Sequence, residues 1–195
     1  MLSTHLHFSD SELIQAYLQG NCKCFEALIM RYKDKVYTTI FLLVKDPFLS
    51  EDIFQETFIK IINTIRKGQY AEQGKFLQWA LRVAHNLCMD HFRRVRRNLP
   101  ITTEDGREIS SLLQPDNNHT ETDIERKQTH LSVQKLIELL PHEQREVVVL
   151  RIYGDLSFKE IANLTQVSIN TALGRMRYGL INLRKMIADQ QLVLR

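Results

Sequence analysis

The sequence predicts an all-α protein, two helical domains joined by a flexible linker, with a helix-turn-helix in the C-terminal domain. Three observations lead there. Apolar residues recur at helical spacing along most of the 195-residue chain, and alternating strand patterns are nearly absent. The stretch from Asn98 to Thr122 is rich in Ser, Thr, Asn, Asp and Pro and has no periodicity. Near the C-terminus, two capped helical patterns are separated by a short polar turn.

That last pattern organises the reading. Ser157 is a good N-cap, and Glu160 three residues on completes a capping box. The helix it starts carries Phe158, Ile161, Ala162 and Leu164 and breaks at the turn Thr165-Gln166-Val167-Ser168, whose last residue caps the next helix. Helical spacing places Ile169, Ala172, Leu173, Met176, Leu180, Leu183 and Ile187 on the inner side of that second helix. Asn170, Thr171, Gly174, Tyr178 and Lys185 lie outside, with Arg175 and Arg177 on the flanks. Short polar groups near a helix start suit base edges, and cations suit phosphates, so this is the surface a recognition helix needs. Gly174 is unfavourable inside a helix, but on the outer face it lets a DNA backbone come close.

Charge distribution says more than the net charge of +3. From Arg82 to Arg97 five arginines face one acid, Asp90, a balance of +4; from Pro100 to His130 the balance is −4. Basic charge therefore gathers on a helical segment and acid on the spacer. The first ten residues have no apolar core of the kind a signal peptide needs, and the longest apolar run, Ile40 to Val44, is far too short to span a membrane. A cytoplasmic location without membrane insertion is expected. Cys22, Cys24 and Cys88 match no zinc-ligand spacing and read as reduced thiols. His85 and His91 fall about 120° apart around a helix, which is poor for one metal. No phosphate loop or nucleophile context occurs, so neither a cofactor, a metal nor catalysis is expected.

In chain order, Ser9 caps a first helix over 10–19 that Gly20 ends. A second runs over 22–45 on Phe25, Leu28, Ile29, Tyr32, Val36 and Ile40, with Asp46-Pro47 closing it. Ser50 is expected to start a third, with Ile53, Phe54, Thr57, Phe58, Ile61, Ile62 and Ile65 inward and Asp52, Gln55 and Glu56 as an outward acidic-polar patch. The polar loop from Arg66 to Lys75 leads to a fourth helix, Phe76 to about Arg97. Phe76, Trp79, Val83 and Leu87 share its apolar face with Asp90, a carboxylate for which the neighbouring arginines are candidate partners. An aromatic loop beside a helix with a basic tail suits single-stranded nucleic acid. A further helix begins near Asp123, and Pro141 opens the one that runs to about Tyr153.

With these segments in view, the sequence resembles the bacterial RNA polymerase sigma factors of the small extracytoplasmic-function (ECF) group. The resemblance covers nearly the whole chain. SEDIFQETFIKI, from Ser50 to Ile61, looks like the family's polymerase-binding segment. FLQWALRVAHNLCMDHFRR, from Phe76 to Arg94, looks like its promoter-melting helix, with Phe76, Trp79, Ala84, Asn86, Asp90 and Arg93 on motif positions. LSFKEIA and the turn into Ser168-Ile169-Asn170-Thr171 look like its minus-thirty-five reader.

The resemblance implies a division into residues 1–97 for polymerase binding and the minus-ten element, a linker over 98–122, and residues 123–195 for the minus-thirty-five element. It implies that Asp52, Gln55 and Glu56 dock on core RNA polymerase. It implies minus-ten contacts from Lys75, Gln78, Arg82, Asn86, Arg93, Arg94, Arg96 and Arg97. Minus-thirty-five contacts would come from Ser168, Asn170, Thr171, Gly174, Arg175, Arg177, Tyr178 and Lys185. The implied partners are core polymerase, promoter DNA and an anti-sigma factor. Four positions depart from the family's usual pattern: Leu173 stands where lysine is common, Gly174 where serine is, Asp155 where glycine is, and Ala80 where leucine is. A stand-alone dimeric helix-turn-helix regulator explains the second half equally well but leaves the acidic patch and the basic fourth helix without purpose. Each half is expected to fold alone.

Overall fold

The computed structural model describes residues 8–71, 74–98 and 132–189, and these form helices and short connections with no strand among them. The helices are α1 (Asp10–Leu18), α2 (Cys22–Val44), α3 (Pro47–Arg66), α4 (Phe76–Asn98), α5 (132–138), α6 (His142–Ile152), α7 (Phe158–Thr165) and α8 (Ile169–Asp189). Asn98, expected to open the linker, is instead the last residue of α4; the rest of the expected linker and the expected helix start near Asp123 lie outside the described residues. Among the described residues, no helix is long and apolar enough to cross a membrane.

Ser9 caps α1 through the capping box with Glu12, as its spacing predicts. The start of α3 differs from expectation. Asp46-Pro47 begins α3 rather than merely closing α2: Asp46 is the N-cap, its side chain accepting from the Leu49 N–H at 3.0 Å, and Pro47 is the first helical residue. Proline there loses no hydrogen bond and is preset for the helix. α2 ends earlier, at Val44, with Lys45 in the left-handed conformation. Ser50 therefore lies within α3, fully buried, its hydroxyl donating to the Asp46 carbonyl.

α1 packs on α2, and α2, α3 and α4 pack on one another; α6 closes against α2 and α8, and α7 lies on α8. One core takes Leu28, Val36, Ile40, Ile61, Ile65, Phe76 and Leu81 from the first four helices and Leu136, Ile137, Leu140, Val148 and Val149 from the segment beyond residue 131. A smaller core joins Val147, Leu150, Leu156, Ile161, Ala162 and Ala172 within the helix-turn-helix. The two halves of the chain thus share buried surface.

α2 and α4 share that junction, α2 packing on α6 and α4 adding side-chain contacts beside it. The expected face of α4, Phe76 and Leu87 with Trp79 and Val83 half-buried, turns to α2 and α3. A second stripe one side over, Leu81, His85 and Phe92 at intervals of four and seven residues, faces the second half. Phe92 meets the His142 ring edge-on with centroids 5.7 Å apart, and His85 meets Glu146. Gly154 comes so close that a Cβ there would stand 3.1 Å from Leu81 Cδ1 and 2.6 Å from the Leu150 carbonyl oxygen. Asp155, next to it, is left-handed with φ of 53°, and its carboxylate accepts from Lys35 Nζ of α2 at 2.9 Å. Aspartate tolerates this conformation better than most residues, which accounts for its standing in place of glycine.

Candidate nucleic-acid interface

The helix-turn-helix forms as its caps predict. Ser157 Oγ accepts from the Glu160 N–H, and Glu160 Oε2 accepts in return from the Ser157 N–H at 2.9 Å and from its hydroxyl at 2.7 Å. These bonds hold the Glu160 carboxyl below its ordinary range, the serine hydroxyl first among them. Gln166 ends α7 in the left-handed conformation, φ 58°. Ser168 then caps α8, accepting from the Thr171 N–H at 3.0 Å, with the two hydroxyls 2.8 Å apart.

On α8, Ala172, Gly179 and Leu183 are buried against the rest of the domain. Gly179 lets α6 approach, since a Cβ there would lie 2.9 Å from Val148 Cγ2. Asn170, Thr171, Arg177, Tyr178 and Lys185 are exposed, as is Ser168, while Gly174 and Arg175 are half-exposed. The expected inner face needs a correction: Ile169 and Leu173 are 45% and 43% exposed. Ile169 sits in the first turn, at the free end of the helix, and Leu173 falls about 100° around the helix from Ala172, at the edge of the buried arc.

The first half presents two further surfaces. Asp52, Gln55 and Glu56 are all exposed on α3, with Ile53, Thr57, Phe58 and Ile61 of the same helix buried. Gln55 donates to Glu51 at 3.3 Å, and Phe48, 76% exposed, lies one turn before Asp52. On α4, Arg82, Asn86, Arg94, Arg96 and Arg97 are exposed with Lys75 ahead of them, and Gln78 is half-buried. Arg93 donates to Asp90 at 3.0 Å, so the carboxylate on the apolar face finds an arginine as expected. Arg66 belongs to α3, not to the loop, and its Nε donates to the Tyr17 hydroxyl at 2.7 Å.

Between the loop and α4 lies a cleft of about 180 Å³ lined by Gln69, Tyr70, Ala71, Lys75, Gln78, Trp79 and Arg82. Tyr70 packs on Trp79 with ring centroids 4.3 Å apart, and Phe76 closes the aromatic cluster from below, fully buried. Glu160 of α7 completes the cleft and takes Lys75 Nζ at 3.3 Å. No pattern along the chain places Glu160 at the loop, because its local role is the capping box and the contact spans 85 positions.

Comparison with known proteins decides the family. The family models for Sigma-70 region 2 and Sigma-70, region 4 match residues 28–98 and 130–173, together more than half of the chain. The chain belongs to the sigma-70 family, in its ECF group. The RNA polymerase sigma-H factor of Pseudomonas aeruginosa is 27% identical over 177 residues, covering 86% of this chain and 88% of that one. The ECF RNA polymerase sigma factor SigW of Bacillus subtilis is 27% identical over 180 residues, covering 90% and 95%. In fold the chain is similar to the sigma factor RpoE of Bartonella quintana, solved in complex with the anti-sigma factor NepR. That likeness has a TM-score of 0.65 at 17% identity and covers 85% of this chain and 98% of that one. It is also similar to CnrH, solved with the cytosolic domain of CnrY, with a TM-score of 0.57 at 19% identity, covering 93% and 99%.

Proposed function

We propose that this sigma factor binds core RNA polymerase and directs promoter-specific initiation through three separate surfaces, without catalytic chemistry of its own. The observation that carries the reading is the division of each helix: α3, α4 and α8 bury apolar stripes and turn Asp52/Gln55/Glu56, the arginine tail and Asn170/Thr171/Arg177 to solvent. The acidic-polar patch of α3 docks on the polymerase. The loop before α4, its aromatic cleft and Lys75, Gln78, Arg82, Asn86, Arg93, Arg94, Arg96 and Arg97 engage the minus-ten element as it opens: stacking faces receive bases and cations follow the backbone. α8 enters the major groove of the minus-thirty-five element, where its N-terminal residues meet base edges.

Residues 1–97 and 123–195 are the two working halves in this reading, joined by the stretch 98–122. The core shared by α2, α4 and α6 makes the free chain compact, and its opening exposes the cleft that Glu160 occupies. The protein acts in the cytoplasm and has an anti-sigma factor as a further partner; the solved relatives in such complexes support this by fold.

The test is run-off transcription with reconstituted polymerase on genomic fragments, with gel filtration alongside. Co-elution with core enzyme and discrete start sites are expected. A free dimer that binds duplex DNA but never polymerase would replace this reading with that of a stand-alone regulator.

A further inference from the structure

Leu173 and Ile169 form an exposed apolar pair in the first two turns of α8, the part of the helix that leads into the groove; Ile181, equally exposed, stands two turns further along and apart from them. The two residues of the pair lie one helical turn apart and belong to neither core. Their exposures, 43% and 45%, leave much of each side chain free for contact. Beside Leu173 around the helix are Asn170 and Arg177, both exposed, and Thr171 is exposed on the far side. Gly174, directly after Leu173, opens the surface further: a Cβ built there would meet nothing within 4 Å.

This strip has the size of a base edge. A protein interface takes about 800 Å² from each partner, far more than two side chains flanked by an asparagine and an arginine provide. In the major groove only thymine presents a methyl group, and an apolar side chain is what recognises it. The polar neighbours suit the hydrogen-bonding edges beside that methyl, and Arg177 suits a flanking phosphate.

We infer that Leu173, with Ile169 beside it, reads the 5-methyl group of a thymine in the minus-thirty-five element. The inference rests on α8 being the helix that enters duplex DNA. Where a lysine would add a phosphate contact tolerant of sequence, this leucine exchanges that affinity for selectivity at one base pair.

The test uses the full chain bound to core polymerase. A pool of duplexes randomised over the minus-thirty-five window first yields the preferred sequence. Each thymine in it is then replaced singly by deoxyuridine, which removes the methyl and nothing else. For the wild-type chain, one thymine is expected whose replacement weakens binding about fourfold, the worth of burying one methyl-sized group. For Leu173→Ala, thymine and deoxyuridine should bind alike at that position, with the remaining sequence preference kept. The inference is overturned if no thymine is preferred, if the wild type ignores every replacement, or if Leu173→Ala keeps the fourfold ratio. A holoenzyme that selects no duplex sequence at all would instead overturn the reading of α8 itself.

Discussion

His85 Nε2 and Glu146 Oε1 meet at 2.8 Å, both side chains almost wholly buried, and they join α4 to α6 across 61 positions. The pair sits where the two halves share their core, and among the described residues His85 Nδ1 finds no second partner. His85→Ala leaves the Glu146 carboxylate buried and unpaired, so a loss of about 3 kcal/mol is expected in chemical denaturation. Glu146→Gln keeps an oxygen that accepts from Nε2 and should cost clearly less. Equal losses for the two variants would mean that packing, not the hydrogen bond, carries the junction.

The same junction should loosen in acid. Burial holds the His142 imidazole below its ordinary value, against the pull of Glu146 and Glu143 and with the help of Arg145 and His85. The unfolded chain takes up this proton near pH 6.5, while the folded chain resists to lower pH. Between those points the unfolded state holds more protons, so stability falls as pH drops below about 6.5. Urea midpoints measured across that range should show the fall, and His142→Gln should flatten this part of it.

Gly174 has no steric reason inside the molecule to be glycine, its missing side chain facing open space. Gly174→Ala should raise stability by about 1 kcal/mol, the helix propensity difference. It should also weaken holoenzyme binding to the minus-thirty-five element, because the added methyl stands between helix and DNA. A gain in both would remove this position from the interface.

Asp52 and Glu56 are exposed and off the buried stripe of α3. Reversing both charges should reduce affinity for core polymerase at least tenfold, with stability changed by less than about 0.5 kcal/mol as for most surface sites. Polymerase binding equal to wild type would move the docking surface elsewhere.

Replacing Asn86 and Arg93 with alanine should slow promoter opening several-fold, read by permanganate footprinting, while minus-thirty-five duplex binding survives. Stability should fall by no more than about 1 kcal/mol, since the Arg93–Asp90 pair is a surface one. Normal strand opening in the double variant would take these residues out of the minus-ten surface.

Local rules in the sequence determined the helices and their caps. Ser9 with Glu12, Ser157 with Glu160, and Ser168 each act within three or four residues, and the inward stripe of α3 follows from periodicity alone. The exposure of Asp52, Gln55, Glu56 and the α4 arginines was legible for the same reason. Asp46-Pro47 was misread because a dipeptide that stops one helix also starts another, and only the position of the left-handed Lys45 separates the two roles. Ile169 and Leu173 were misread because periodicity gives a direction around the helix but not how wide an arc, or how much of its length, a neighbour covers.

The second face of α4 was decided by tertiary structure alone. Leu81, His85 and Phe92 lie beside a conventional apolar stripe, and nothing local marks them as a contact with residues some 50 to 70 positions away. Glu160 entering the cleft beside Lys75 is the same kind of fact. Capping and periodicity are properties of neighbours along a chain; which buried face meets which depends on closing a long connection between them, and that choice is made by the whole packed core.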